Sequence, residues 1–197
     1  MFQTKMMQLA LAAAALPASA QTVNVPANLQ PPAGHTMYLK ARATGTQNYV
    51  CLPTAMGGLA WRFQGPQATV FLSYQWLGRE IRQQVMTHYL SPNPGEEGMP
   101  ARATWQSSLD TSAVWAKKIA ESSDAAYVAA GAIPWLLLQK TGAQSGPAGG
   151  AFLTQTTYLQ RINTGGGVAP EGVCTEAGAI QFVPYVADYV FFRASGN

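Results

Sequence analysis

The chain has 197 residues, a formal net charge of +3 and only 11% charged residues, against about 25% in an ordinary globular protein. Its few Lys and Arg are dispersed, which excludes the clustered basic footprint that nucleic-acid binding needs. The length fits one domain with a core of ordinary size, and the abundance of Gln, Thr, Ser, Gly, Trp and Tyr implies a surface solvated by amides and hydroxyls.

In chain order, the first element is a secretory signal over residues 1–20. Lys5 precedes an apolar, alanine-rich run from Met6 to Leu16, and Ala18-Ser19-Ala20 supplies the small-x-small cleavage step. The mature chain then starts at Gln21 and carries a formal charge of +2, since Lys5 is lost. The first cysteine is Cys51, too far along for a lipoprotein anchor, and no later apolar run reaches the roughly 18 residues that a membrane-spanning helix requires. Export to the periplasm or the medium follows, with no transmembrane helix. In that compartment Cys51 and Cys174 can oxidise. Their bridge closes a loop of more than a hundred residues, for which chain entropy gives roughly 4 to 5 kcal/mol.

Residues 21–34, with Pro26, Pro31 and Pro32, read as an extended lead-in, and residues 35–197 as a single β-rich domain. Met37, Leu39, Ala41 and Ala43 alternate with Tyr38, Lys40 and Arg42, the period of a half-buried strand. Leu59, Trp61 and Phe63 repeat the pattern, as do Val70, Leu72, Tyr74 and Trp76 up to a turn at Gly78. Ile81, Val85 and Tyr89 return as the second arm of a hairpin, with His88 on the opposite face. The Pro- and Gly-rich stretch from Ser91 to Pro100 is a loop. Ala103 to Ser107 and Thr111 to Lys117 are strands joined by a turn through Ser108, Leu109 and Asp110, and Ala116 to Ala130 reads as strand then loop.

Ile133 to Gln139 is an apolar run suited to a central strand, with Pro134 at an edge or bulge. Gly142 to Gly150 reads as flexible. Phe152 to Asn163 alternates again, with Leu153, Thr157, Leu159 and Arg161 on one face, and ends at Gly165-Gly166-Gly167. Ala179 to Arg193 is an aromatic β stretch broken by Pro184. Nine or ten strands with few helices predict an all-β, mainly antiparallel fold: a single-domain β-sandwich or β-barrel with long loops and one disulfide.

Five segments in order are His88-Tyr89-Leu90-Ser91-Pro92-Asn93-Pro94, Ala103-Thr104-Trp105-Gln106 with Asp110-Thr111-Ser112-Ala113-Val114-Trp115, Gly131-Ala132-Ile133-Pro134-Trp135-Leu136-Leu137-Leu138, Thr157-Tyr158-Leu159-Gln160-Arg161-Ile162-Asn163-Thr164-Gly165-Gly166, and Val183-Pro184-Tyr185-Val186-Ala187-Asp188-Tyr189. Together they resemble the exported bacterial and fungal family catalogued as domain of unknown function 3455, over nearly all of the mature chain. The resemblance implies a single secreted β-rich domain, with Cys51 and Cys174 at positions like the family's cysteines. It implies no activity.

Candidate chemistry is sparse. His88 has a ring that titrates near neutrality and is a possible general base, with Asp110 as an orienting carboxylate and Ser107, Ser108 or Ser112 as nucleophile. Asp110 has the competing role of capping its own turn. There is no CxxC and the histidines are His35 and His88 alone, so no metal site and no cofactor is read. Arg161 and Asn163 before the triple glycine suit a carboxylate or phosphate. The tryptophans Trp61, Trp76, Trp105, Trp115 and Trp135 suit core packing or stacking on sugars and other flat ligands.

The leading functional expectation is a non-enzymatic exported domain that binds a small molecule or glycan through Trp105, Trp115, His88, Arg161 and Asn163. One alternative is a secreted hydrolase using His88 with Asp110. Another is a structural or envelope-interaction protein, including a small outer-membrane barrel, against which stand the Lys and Arg residues at mid-strand.

Overall fold

Alternation of apolar and polar residues along successive strands gives each strand one face that must leave water. Here that demand is met by closing the sheet. The computed structural model describes residues 24–92 and 101–196; the signal expected over residues 1–20, and residues 93–100 of the expected loop, lie outside the described residues. Eight antiparallel strands, β1 (His35–Pro53), β2 (Leu59–Trp76), β3 (Arg79–Ser91), β4 (Arg102–Ser107), β5 (Ala113–Ser122), β6 (Trp135–Gln144), β7 (Thr156–Gly166) and β8 (Ile180–Ala194), pair in sequence order, and β8 pairs with β1 to close a barrel. A closed ring leaves no strand edge between its neighbours. The all-β expectation holds as a barrel rather than a sandwich, with eight strands among the described residues rather than nine or ten. Among the described residues, no helix is long and apolar enough to cross a membrane.

The inward parity of β1 carries Leu39, Ala41, Ala43, Gln47, Tyr49 and Cys51, all buried. Gly45 occupies the same parity because β2 passes so close that an added Cβ would overlap the Gln67 carbonyl and Ala68. Facing residues from other strands, among them Val70, Met86, Trp105, Val114, Leu138, Leu159, Tyr189 and Phe191, complete one interior core. The outward residues of β1, Lys40, Arg42, Thr44 and Thr46, meet water to varying degrees.

A second core lies outside the barrel wall. Leu29, Val128, Trp135, Leu137, Ile162 and Val190 pack together there. Trp135 to Leu138 is therefore apolar without alternation because both faces of β6 are covered, as its continuous run suggested. The lead-in is not simply extended: a 3₁₀ turn (Ala27–Leu29) buries Leu29 completely, and the Leu29 carbonyl accepts a 2.7 Å hydrogen bond from Gln160 Nε2.

Several other elements differ from expectation. The segments on either side of Gly65-Pro66 are one continuous strand, β2. Its β1 pairing shifts register between Asn48 and Tyr49. A bulge in the β2–β3 ladder omits Val85, pairing Val70 with Met86 and Phe71 with Gln84. One extra residue reverses side-chain parity, so His88 shares the inward face with Ile81 instead of opposing it. β6 continues through Gly142 to Gln144, where a flexible stretch was expected; a Cβ on Gly142 would lie 2.9 Å from the Trp115 ring. Residues 152–155 form a turn rather than the start of β7, and from it Leu153 is fully buried in the interior core. Pro184 does not break β8. It pairs with Thr46 of β1 just beyond the end of the β7 ladder at Tyr185, where β8 has a partner on one side.

Among the described residues, one end of the barrel is closed and the other open. The β4–β5 turn and the β6–β7 connection interlock at the closed end: Asp110 accepts hydrogen bonds from Ser112 N–H, Ser112 Oγ and Phe152 N–H, and Ser112 Oγ accepts one from Leu153 N–H. At the open end, the disulfide joins the end of β1 at Cys51 to Cys174 in the β7–β8 connection, with Cα atoms 5.9 Å apart.

Candidate ligand-binding site

Inward alanines decide where the barrel is not full. Trp105, His88, Tyr189 and Leu138 fill the middle, whereas Ala103 and Ala116 leave space beside them. The result is a cavity of about 180 Å³ toward the open end, lined also by Gln47, Phe63, Leu90, Leu136, Lys118 and Arg161.

His88 forms one wall. Its ring lies flat on Trp105 at 4.1 Å between centroids, with an interplanar angle of 9°, and Tyr189 meets it edge-on at 5.0 Å. His88 Nδ1 donates to the Thr104 carbonyl at 2.8 Å, which fixes the neutral tautomer with its proton on Nδ1. Burial pulls its pKa down to about 3, against the opposing pull of that backbone bond. The imidazole is therefore uncharged across the physiological range.

The polar lining consists mainly of donors. Gln47 is 3% exposed and Trp105 1% exposed, yet Gln47 Nε2 and Trp105 Nε1, like Trp135 Nε1 in the outer core, have no hydrogen-bond partner among the described residues. Such orphans are rare in native interiors and costly when left unmatched. Arg161 enters from β7 and holds the Pro134 carbonyl through Nε at 3.2 Å and Nη2 at 2.9 Å. Among the described residues, none that lines the cavity is acidic. Burial raises the pKa values of the neighbouring phenols Tyr49, Tyr185 and Tyr189, so these remain neutral hydroxyls. At the rim Lys118 is matched by Glu121 at 2.6 Å.

Of the residues singled out from the sequence, His88, Trp105 and Arg161 come together at this cavity. Trp115 does not. Because Trp105 pairs with Val114 and Trp115 with Thr104, the two indoles lie on opposite sides of the wall. Trp115 lines an outer groove with Tyr89, Gln106 and Gln144, and Arg102 Cζ sits 4.0 Å above its ring. Asn163 also lies outside, where the β7–β8 register shift between Ile162 and Gly165 interrupts the alternation that started with Arg161. Its Nδ2 donates to Asp188 at 2.8 Å, and Asp188 also pairs with Arg42 and Lys40.

His88 and Asp110 are not partners. His88 Nδ1 is committed to Thr104, and Asp110 to Ser112 and Phe152 in the closed end. Desolvation works to raise the Asp110 pKa, but those donors hold it down to about 2. The capping role weighed for Asp110 is thus realised. Among the described residues, no three His, Cys, Asp or Glu side chains form a metal-binding group.

Gln47, Ala103, Ala116 and Tyr189 were not singled out from the sequence as site residues. Gln47 was the findable one, since it continues the parity of Leu39, Ala41 and Ala43 and puts an amide where an apolar residue belongs.

One family model matches residues 32–193, and its description is "Protein of unknown function (DUF3455)". No curated protein and no solved structure matches the chain.

Proposed function

From the premise that this chain belongs to the DUF3455 family, whose description names no activity, we propose that it is an exported barrel that binds a small molecule in its open-ended interior without catalysing a reaction on it. The observation that carries this reading is a cavity of about 180 Å³ inside the barrel, walled largely by apolar side chains and entered by one cation, Arg161. A small ligand with an acceptor group for Arg161 would fit it.

Export is supported by the sequence of residues 1–20 and by the Cys51–Cys174 disulfide, which belongs to an oxidising compartment. A barrel surrounded by water rather than lipid is supported by the apolar interior and by Lys40, Arg42, Thr44 and Thr46 on the outside of β1. Binding rather than hydrolysis is supported by the separate structural commitments of His88 and Asp110.

The test is native mass spectrometry of the mature protein purified gently from its exported fraction, beside Ala103→Leu, which fills the cavity. Wild type is expected to retain or take up a small molecule. Ala103→Leu should fold with a melting temperature within a few degrees of wild type and lose at least tenfold in uptake. Equal uptake by a folded Ala103→Leu protein would move the site out of the barrel.

A further inference from the structure

We propose that the ligand of this cavity is a small carboxylate with a flat or slender apolar body, its carboxylate received by Arg161 and Gln47 and its body lying against Trp105. This deepens the binding reading and rests on it.

Size comes first. A dry apolar cavity of about 150 Å³ holds a benzene molecule, and this cavity measures about 180 Å³. One ring, or a chain of comparable bulk, and one compact head group fill it. Trp105, stacked with His88, presents a rigid aromatic wall, and Leu90, Leu136, Leu138, Ala103 and Ala116 make the remainder apolar. A sugar, which needs hydrogen bonds around its whole periphery, finds no such lining.

Charge decides the head group. Arg161 brings a permanent cation into a lining in which, among the described residues, there is no acid and it has no carboxylate partner. Its neighbours Tyr185 and Tyr189 are held neutral by burial. The Pro134 carbonyl takes two of its five N–H donors and neutralises none of its charge. A guanidinium and an amide side chain lining one cavity are the donor set that a planar carboxylate matches, because its two oxygens accept several bonds at once. A neutral amide of the same shape keeps only one accepting oxygen and turns its own N–H₂ toward the remaining donors.

The experiment compares isosteric pairs by titration calorimetry at pH 7: benzoate with benzamide, 3-phenylpropionate with its amide, and hexanoate with hexanamide. At least one acid is expected to bind tenfold or more tightly than its amide, and Arg161→Gln should reduce that ratio to about one. Glu96→Gln with Glu97→Gln, which removes the acids of the β3–β4 connection, should leave the ratio unchanged. Should Arg161→Gln fail to fold, Gln47→Ala and the wild-type ratio still test the assignment, since neither removes the hold on Pro134. Amides binding as tightly as acids, or a ratio that survives Arg161→Gln, would overturn the carboxylate while leaving cavity binding intact. If no acid or amide binds, the carboxylate is again overturned; the cavity reading falls separately if Ala103→Leu matches wild type in native mass spectrometry.

Discussion

His88 shows how environment sets what a side chain can do. The sequence offers an imidazole beside a loop; the fold stacks it on Trp105, ties Nδ1 to a backbone carbonyl and removes it from water. Its folded pKa of about 3 lies below the unfolded value of 6.5, so between these values the unfolded chain binds a proton that the folded chain does not. Stability therefore falls as pH drops through that window, with a slope of up to about 1.4 kcal/mol per pH unit. Below the usual value of 3.8, protonation of the unfolded chain also erodes what Asp110 contributes, until its folded pKa of about 2 is passed. Urea unfolding from pH 7 to pH 3 should show this decline, and His88→Gln should flatten it between pH 6.5 and pH 4. An unchanged slope in the variant would mean that the ring titrates freely.

Among the elements, the β2–β3 hairpin stands apart. β1 pairs with β2 only up to Phe71 and β4 pairs with β3 only from Met86, so residues 73–83 form a two-stranded arm projecting beyond the closed end of the barrel. The inward parity continues along it through Tyr74, Trp76 and Ile81 with no barrel left to cover it; Trp76 is 63% exposed and Leu77 88%. Leu77 and Gly78 have φ of 48° and 76°, the signs of a type I′ turn, in which Asn-Gly is favoured and a γ-branched residue is not. Leu77→Asn should stabilise the arm by about 0.5–1 kcal/mol. Amide exchange across residues 73–83 should then slow by roughly two- to fivefold. Unchanged exchange would mean that the turn does not limit opening of the arm.

At the scale of the whole molecule, closure depends on β1. It pairs with both β2 and β8, and its end is pinned at the open mouth by the disulfide and by the reciprocal backbone bonds Cys51 N to Ala179 O and Gly178 N to Cys51 O. The bridge spans 123 positions. Cys51→Ser with Cys174→Ser should therefore lower stability to denaturant by about 2–5 kcal/mol. Wild type in reductant should converge on the variant. A midpoint unmoved by both treatments would show that strand pairing alone closes the barrel.

Much of this was legible in the chain. Period-two alternation in β1, β2 and β3, the turn at Gly78 and the unalternating run before Gln139 follow from local rules, because a strand has one side or two sides to bury. The pairing of the cysteines needed only their number and the export expected from residues 1–20. What the sequence could not convey was parity across irregularities. A one-residue bulge at Val85 turned His88 inward, the register shift after Ile162 separated Asn163 from Arg161, and a neighbouring position placed Trp115 outside while Trp105 faced in. Each depends on where a partner strand ends or slips, which is a property of the ladder rather than of the segment. Barrel rather than sandwich, and the grouping of Gln47, Trp105 and Arg161 around one cavity, were likewise decided only when β8 met β1, since closure is the step that brings opposite walls face to face.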